Sequence, residues 1–296
     1  MEAKSPKILD RKSFNIRQLV IWSSFFVGLI AASLISGLVS YVANIYSADI
    51  KTTISLSMII QDLLVFLLPA FIAARVITNR PATFLKLDTA PSWKAALFTL
   101  LTFVISMPAM NYIVAWNSSI SLPDSMQAIE QWMRATEQAA QEVTEMFLHH
   151  ESFLAMIGGV LLVGVLTGFS EEMFFRGGLQ GIFTSQKINA HISIWFVAIM
   201  FSVLHFQFFG FVPRMLLGAL FGYMTYWSGT LWTAIIAHAL NNSAVVVSSY
   251  LLATEAIGSS LDNLGVPADG SFPHLAVISL ILTGFLIAKH RYFFDR

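Results

Sequence analysis

The sequence predicts an all-α, polytopic membrane protein of about eight transmembrane helices, with N- and C-termini cytoplasmic. Three observations predict it. The 296 residues are 56% hydrophobic and only 11% charged, with a mean hydropathy of +0.70; a soluble domain is about 25% charged. A soluble fold must still cover its outside with polar groups, so lipid has to serve as part of this chain's solvent. Apolar stretches long enough to cross a bilayer core of about 30 Å recur along the chain. Basic residues gather in alternate loops. These features exclude a disordered chain, a nucleic-acid binder with a basic face and an ordinary soluble enzyme. Cysteine is absent, so a disulfide framework, a thiolate metal site and a cysteine nucleophile are excluded as well.

The apolar stretches are approximately 19–44, 54–77, 93–116, 153–181, 190–208, 211–227, 231–253 and 273–289. The first is too long for a signal-peptide core and lacks a small-residue cleavage site. No strand alternation with recurring turn signals suggests a barrel. Charge sets the direction. With an even number of spans and the N-terminus inside, the cytoplasmic side collects Lys4, Lys7, Arg11, Lys12, Arg17, Arg75, Arg80, Lys86, Lys94, Arg176, Lys187, Lys289, Arg291 and Arg296. Only Lys51, Arg134 and Arg214 fall outside. That bias is the positive-inside pattern. Acids such as Asp124, Glu130, Glu137, Glu142, Glu145 and Glu151 collect on the other side, so a formal net charge of zero conceals a polar layout. The expected organisation is a cytoplasmic segment (1–18), a three-span region (19–116), an extracytoplasmic amphipathic segment (117–152), a core (153–253), an outer loop (254–272) and a last span with a cytoplasmic tail (273–296).

Between Pro123 and Glu151, apolar Met126, Ile129, Met133, Ala140, Val143 and Phe147 recur at steps close to three and four, with acids opposite. This spacing predicts an amphipathic helix on the outer surface, N-capped by Asp124. It serves either as a solvated connector or as a gate for substrate. His149 and His150 beside it read as solvated, and His191, His274 and His290 as interfacial.

Ionisable residues at membrane depth are costly and mark function by default. Here they are few: Asp62, with Gln61, in the second span; Glu171, Glu172 and Arg176 in the fourth; His205 in the fifth; His238, with Asn241 and Asn242, in the seventh. Asp62 and Gln61 read as structural polar contacts. Glu172 and Arg176 are four apart and face each other on a helix. Successive residues are about 100° apart, so Glu171 turns toward another helix. Such a carboxylate suits general-base work. Asn242 lies one turn from His238 on the same face. Gly164/Gly168, Gly177/Gly181 and Gly218/Gly222 have the spacing that lets helices approach closely. By helix rise, Glu171 lies roughly 15 Å from the inner end of its span and His205 roughly 22 Å into its own, so the two can meet. Glu171 with His205 could activate water, while His238 and Asn242 stabilise a developing oxyanion. That is the constellation for peptide-bond hydrolysis within a membrane.

At these residues the chain resembles the CAAX protease and bacteriocin-processing (CPBP, or Abi) family, to which type II CAAX prenyl endopeptidases belong. Its pattern of EExxxR, FxxxH and HxxxN reads here as Glu171-Glu172-Met173-Phe174-Phe175-Arg176, Phe201-Ser202-Val203-Leu204-His205 and His238-Ala239-Leu240-Asn241-Asn242. The resemblance covers about residues 155–245. It implies an integral-membrane endopeptidase in which Glu171 is the main base, supported by Glu172 and Arg176. His205 would position or activate water, and His238 with Asn242 would hold the oxyanion. The family is described both as metalloproteases and as metal-free enzymes. If zinc is the cofactor, Glu171, His205 and His238 are the ligands, but there is no HExxH spacing, which favours no obligatory metal. Implied partners are the lipid bilayer and a membrane-associated or lipidated protein or peptide substrate; nucleic acid is not one. Compact loops point to a bacterial cytoplasmic membrane, where roles of the family include bacteriocin self-immunity and peptide maturation.

Two other classes of function use the same residue types. A transporter or proton relay also carries Glu and His within spans but ordinarily shows internal repeats, and none is visible. An immunity or scaffold protein would keep a vestigial site, and three intact motifs argue against such decay.

Overall fold

The computed structural model describes residues 14–148, 152–257 and 261–294. Lys4, Lys7, Arg11, Lys12, His149, His150, Glu151 and Arg296, assigned above from sequence, lie outside the described residues. Within them the chain is helical and contains no strand. The helices are α1 (Phe14–Ile45), α2 (Ile50–Ile77), α3 (Trp93–Ser118), α4 (Gln127–Leu148), α5 (Phe153–Ser185), α6 (Ala190–Val203), α7 (Phe211–Ser228), α8 (Trp232–Ala253) and α9 (His274–Ala288). Six apolar segments, containing α1, α2, α3, α5, α7 and α8, are long enough to cross a membrane, while α6 and α9 are shorter. The chain is an all-α polytopic membrane protein. Its lipid-facing character is visible in the exposed aliphatic residues, such as Leu34, Leu154 and Leu280, around the bundle.

Local chemistry sets the helix ends. The Asp49 side chain accepts from Thr52 N at the start of α2, Ser92 from Ala95 N at α3, Ser152 from Ala155 N at α5, and Asn189 from His191 N at α6. Each supplies an acceptor for an amide that has no intrahelical partner. α7 stops at Gly229, whose φ of 74° is left-handed. Pro108 interrupts α3. The Ser279 hydroxyl of α9 enters there, accepting from Ala109 N at 3.1 Å and donating to the Ile105 carbonyl. A hydroxyl from a neighbouring helix thus satisfies backbone groups that lipid could not.

The fifth apolar stretch departs from the sequence reading. α6 ends at Val203, and residues 204–206 form a turn in which Phe206 takes a φ of 52°. Fourteen residues rise about 21 Å, less than the bilayer core. His205 therefore sits in the turn beyond the helix end, not 15 residues inside a continuous helix. The reason is packing: Asn117 of α3 donates to the Phe209 carbonyl at 2.8 Å and accepts from Val212 N at 2.9 Å, fixing the chain as it doubles back into α7.

α2 and α5 contain wider turns with i→i+5 character: Asp62–Leu67 in α2, and Val160–Thr167 and Met173–Gln180 in α5. The α5 pair brackets Gly168–Glu172, and such turns are frequent at functional sites. Below them lies an aromatic core containing Phe25, Phe66, Phe174, Phe175 and Phe201. Phe175 meets Phe174 and Phe201 edge to face, both at 5.1 Å between centroids. One end of the bundle is closed by the loop before α3: Leu231 N donates to the Lys86 carbonyl, and Trp232 Nε1 to that of Leu87. At the other end α4 lies across the bundle, with Trp132 packed on Phe208 and Glu137 accepting from Phe209 N.

Candidate active site

Glu171 and Glu172 are adjacent on α5 and have different surroundings. The Glu172 side chain is wholly buried, and its Oε1 accepts from Arg176 Nη1 at 2.7 Å. Arg176 reaches on to the Gly218 carbonyl of α7 at 2.9 Å, and its guanidinium lies 4.5 Å from the Phe201 ring centroid. Removing the Cβ at Gly218 makes room for this: a Cβ there would sit 3.2 Å from Arg176 Nη2. His238 of α8 joins the pair, its Nδ1 2.8 Å from the same Glu172 oxygen. The His238 ring stacks on Phe221 of α7. The cluster therefore joins α5, α7 and α8 through one buried carboxylate.

Glu171 faces the other way, and its Oε2 has no hydrogen-bond partner. It lies 3.8 Å from His238 Nε2 and 4.0 Å from His205 Nε2. His205 Nδ1 is 2.6 Å from the Phe201 carbonyl. A carbonyl only accepts, so Nδ1 carries a proton in that contact; the Arg176-bound Glu172 carboxylate imposes the same on His238. In the neutral rings both Nε2 atoms then present lone pairs toward Glu171. Separations of 3.8 and 4.0 Å are too long for direct hydrogen bonds but suit a water that donates to Glu171 and to one imidazole, about 2.8 Å from each.

These groups line a cavity of about 960 Å³. Its walls combine apolar Ile54, Met58, Val163, Leu217 and Phe221 with polar Glu171, His205, His238, Asn241 and Asn242, and α4 contributes Arg134, Glu137, Gln138 and Gln141. Asn242 lines the cavity, but its amide donates to the Val163 carbonyl at 3.1 Å and its oxygen accepts from Asn241. Asp62 is buried behind α5 and accepts from Thr167 Oγ1 at 2.8 Å. Gln61 is exposed on the outside of α2.

Residues 153–244 match the family model described as type II CAAX prenyl endopeptidase, Rce1-like. This segment is similar to that family over about a third of the chain. A curated relative, named "Uncharacterized protein YpbD", from Bacillus subtilis (strain 168), is 31% identical over 83 residues, which is 27% of this chain and 39% of that protein. The chain thus spans about two fifths of the length of the curated relative it matches. No solved structure matches the chain. The matched segment runs from α5 into α8, so it contains Glu171, Glu172, Arg176, His205, His238 and Asn242.

The donor types around Glu171 are those of a zinc site: two imidazole nitrogens with their far nitrogens engaged, and one free carboxylate oxygen. The spacing is not. Two ligands each about 2.1 Å from a tetrahedral zinc lie about 3.4 Å apart, closer than the 3.8 and 4.0 Å found here. Among the described residues no group of three His, Cys, Asp or Glu is placed to hold a metal. In this arrangement the residues do not fit the ion, and the mechanism below uses none.

Several cavity residues escaped the sequence reading. Arg214 was assigned only to the outer side; it lies on α7, lines the cavity and grips the Gln207 side chain. Glu137 of the cavity wall and Asn117 outside it hold the segment after the His205 turn, at Phe209 and Val212. Asn117 closes an apolar span, which is the one signal that marks it in the sequence.

Proposed function

We propose that the protein is an intramembrane endopeptidase that hydrolyses peptide bonds of membrane-associated or lipidated substrates with water activated by Glu171. The observation that carries this reading is the unpartnered Glu171 Oε2 facing two histidine Nε2 atoms in a cavity large enough for a peptide segment. The Rce1-like match over the same residues supports it.

In this reading a water is held between Glu171 and His205, whose Nε2 lone pair orients it. Glu171 takes one proton as the water oxygen attacks the scissile carbonyl carbon. Negative charge then develops on the carbonyl oxygen. His238, which keeps Nδ1–H on Glu172, offers Nε2–H to that oxygen in the state where its ring carries a second proton in place of the Nε2 lone pair of the neutral ring. The Asn242 amide has a second N–H for the same purpose, since only one is engaged by Val163. Donors arranged in advance in a water-poor site are worth several kcal/mol each at most, about 2.7–4 in a well-studied case. Collapse breaks the C–N bond, and the proton on Glu171 passes to the departing amine. Arg176 acts through Glu172 as a positioning residue.

The test compares the membrane proteomes of cells expressing the wild type and Glu171→Gln, reading new N-termini by mass spectrometry. Peptides formed only by the wild type are the expected result. Identical N-terminal profiles from two equally abundant, folded proteins would sink the reading.

A further inference from the structure

We infer that the catalytic cavity opens on the face opposite the cytoplasm, so that the bonds it receives belong to exported segments presented at the outer leaflet. The substrate class rests on the peptidase reading; the direction of opening does not.

The two ends of the bundle differ in charge and in closure. One end carries Arg17, Arg75, Arg80, Lys86, Lys94, Lys187, Lys289 and Arg291, all near the α1 start, the α2–α3 loop, the α5–α6 turn and the end of α9. Arg17 docks on Ser185 at this end. By the positive-inside rule this end is cytoplasmic. It is also sealed. The loop before α3 is bound to the α7–α8 turn through Lys86, Leu87 and Thr89. Buried Leu85 and Leu231 pack against Gly177 of α5, and the aromatic core lies between them and Glu171.

The cavity runs the other way. Beyond the Glu171 cluster, polar lining comes from α4, from the end of α3 at Ser118, and from Gln207 and Arg214 around the start of α7. Glu130, Glu142 and Glu145 lie on α4, whereas Lys51, Arg134 and Arg214 are the basic residues among the described elements of that end. Gln138, Gln141 and Thr144 are at once exposed and part of the cavity wall, so solvent and cavity meet along α4. A substrate reaching Glu171 through this opening passes between α4 and the α6–α7 turn, without crossing the closed basic end.

The chain has no cysteine, so single cysteines report access directly. Gln141→Cys at the mouth, Leu217→Cys deeper in the wall, with Val245→Cys as a second deep position, and Ala90→Cys at the basic end would each be expressed in a bacterial inner membrane. Intact spheroplasts and inverted vesicles would be treated with a membrane-impermeant thiol reagent. Gln141→Cys and the deep positions should react at least tenfold faster in spheroplasts, and Ala90→Cys at least tenfold faster in inverted vesicles. The reverse pattern overturns the direction. Deep cysteines that react from neither side, in folded protein, overturn the open cavity. Neither result depends on activity, so a failed peptidase assay leaves this measurement intact.

Discussion

His238 Nδ1 lies 2.8 Å from Glu172 Oε1, the oxygen that Arg176 already holds at 2.7 Å. One buried carboxylate thereby sets both the charge balance of α5 and the orientation of an imidazole on α8. The imidazole's other nitrogen points to Glu171. The acid that performs no chemistry in the proposed reaction is thus what aligns the groups that do.

Arg176→Ala leaves Glu172 as a buried carboxylate without its cation. Breaking one partner of a buried pair costs about 3–5 kcal/mol. Thermal unfolding in detergent should therefore fall sharply. The double variant Arg176→Ala with Glu172→Gln should recover part of the loss, because an amide does not require a counter-charge. An unchanged unfolding temperature for Arg176→Ala would contradict the pairing.

Close approach of α5 and α8 depends on Gly168. A Cβ there would lie 3.2 Å from Ala239 N and 3.4 Å from Ala239 Cα, both backbone atoms that cannot swing aside. Gly168→Ala should destabilise by about 1–3 kcal/mol, as overpacking does. It should also slow turnover by at least about tenfold, because α8 carries His238 and small misplacements of reacting groups are expensive. Steady-state kinetics with a melt of the same sample checks both, and full activity would show that the helices separate without moving the site.

Much of this was legible in the sequence, for a physical reason. Glu171, Glu172, Arg176, His205 and His238 stand out because charge is rare in lipid, and the i,i+4 relation of Glu172 and Arg176 needs only a helix. The turn at His205 was not legible. Phe201-Ser202-Val203-Leu204-His205-Phe206-Gln207-Phe208-Phe209 contains no glycine or proline, and an apolar run reads alike whether its helix continues or stops. Asn117, nearly a hundred residues earlier, fixes the chain just beyond the turn, at Phe209 and Val212. The widened turns of α2 and α5 likewise arise from packing between helices, and the sequence held no local cue for Asp62 meeting Thr167.

Before and along α4, Glu130 accepts from Leu122 N at 2.8 Å and from Arg134 Nε at 2.8 Å. The Leu122 amide first, and Arg134 second, hold its carboxyl below its ordinary value of 4.5. A depressed carboxyl contributes order that is present above that value and is lost as pH falls through the lower, folded one. Hydrogen exchange at the Leu122 amide, corrected for its intrinsic rate, should show protection above about pH 4.5 that fades as pH drops further. Glu130→Gln should remove this dependence. Protection that stays flat with pH in the wild type would refute the contact.

The most direct measurement is the rate at which purified protein in lipid nanodiscs cleaves a substrate found by N-terminal profiling, compared between the wild type and Glu171→Gln with matched unfolding temperatures. Glutamine keeps the size of the side chain and cannot take a proton from water. The rate should fall at least about a hundredfold, the lower bound for losing a general base, while the thermal melt stays close to the wild type. Cleavage at the wild-type rate by folded Glu171→Gln would contradict the role of Glu171 and the proposed reaction with it.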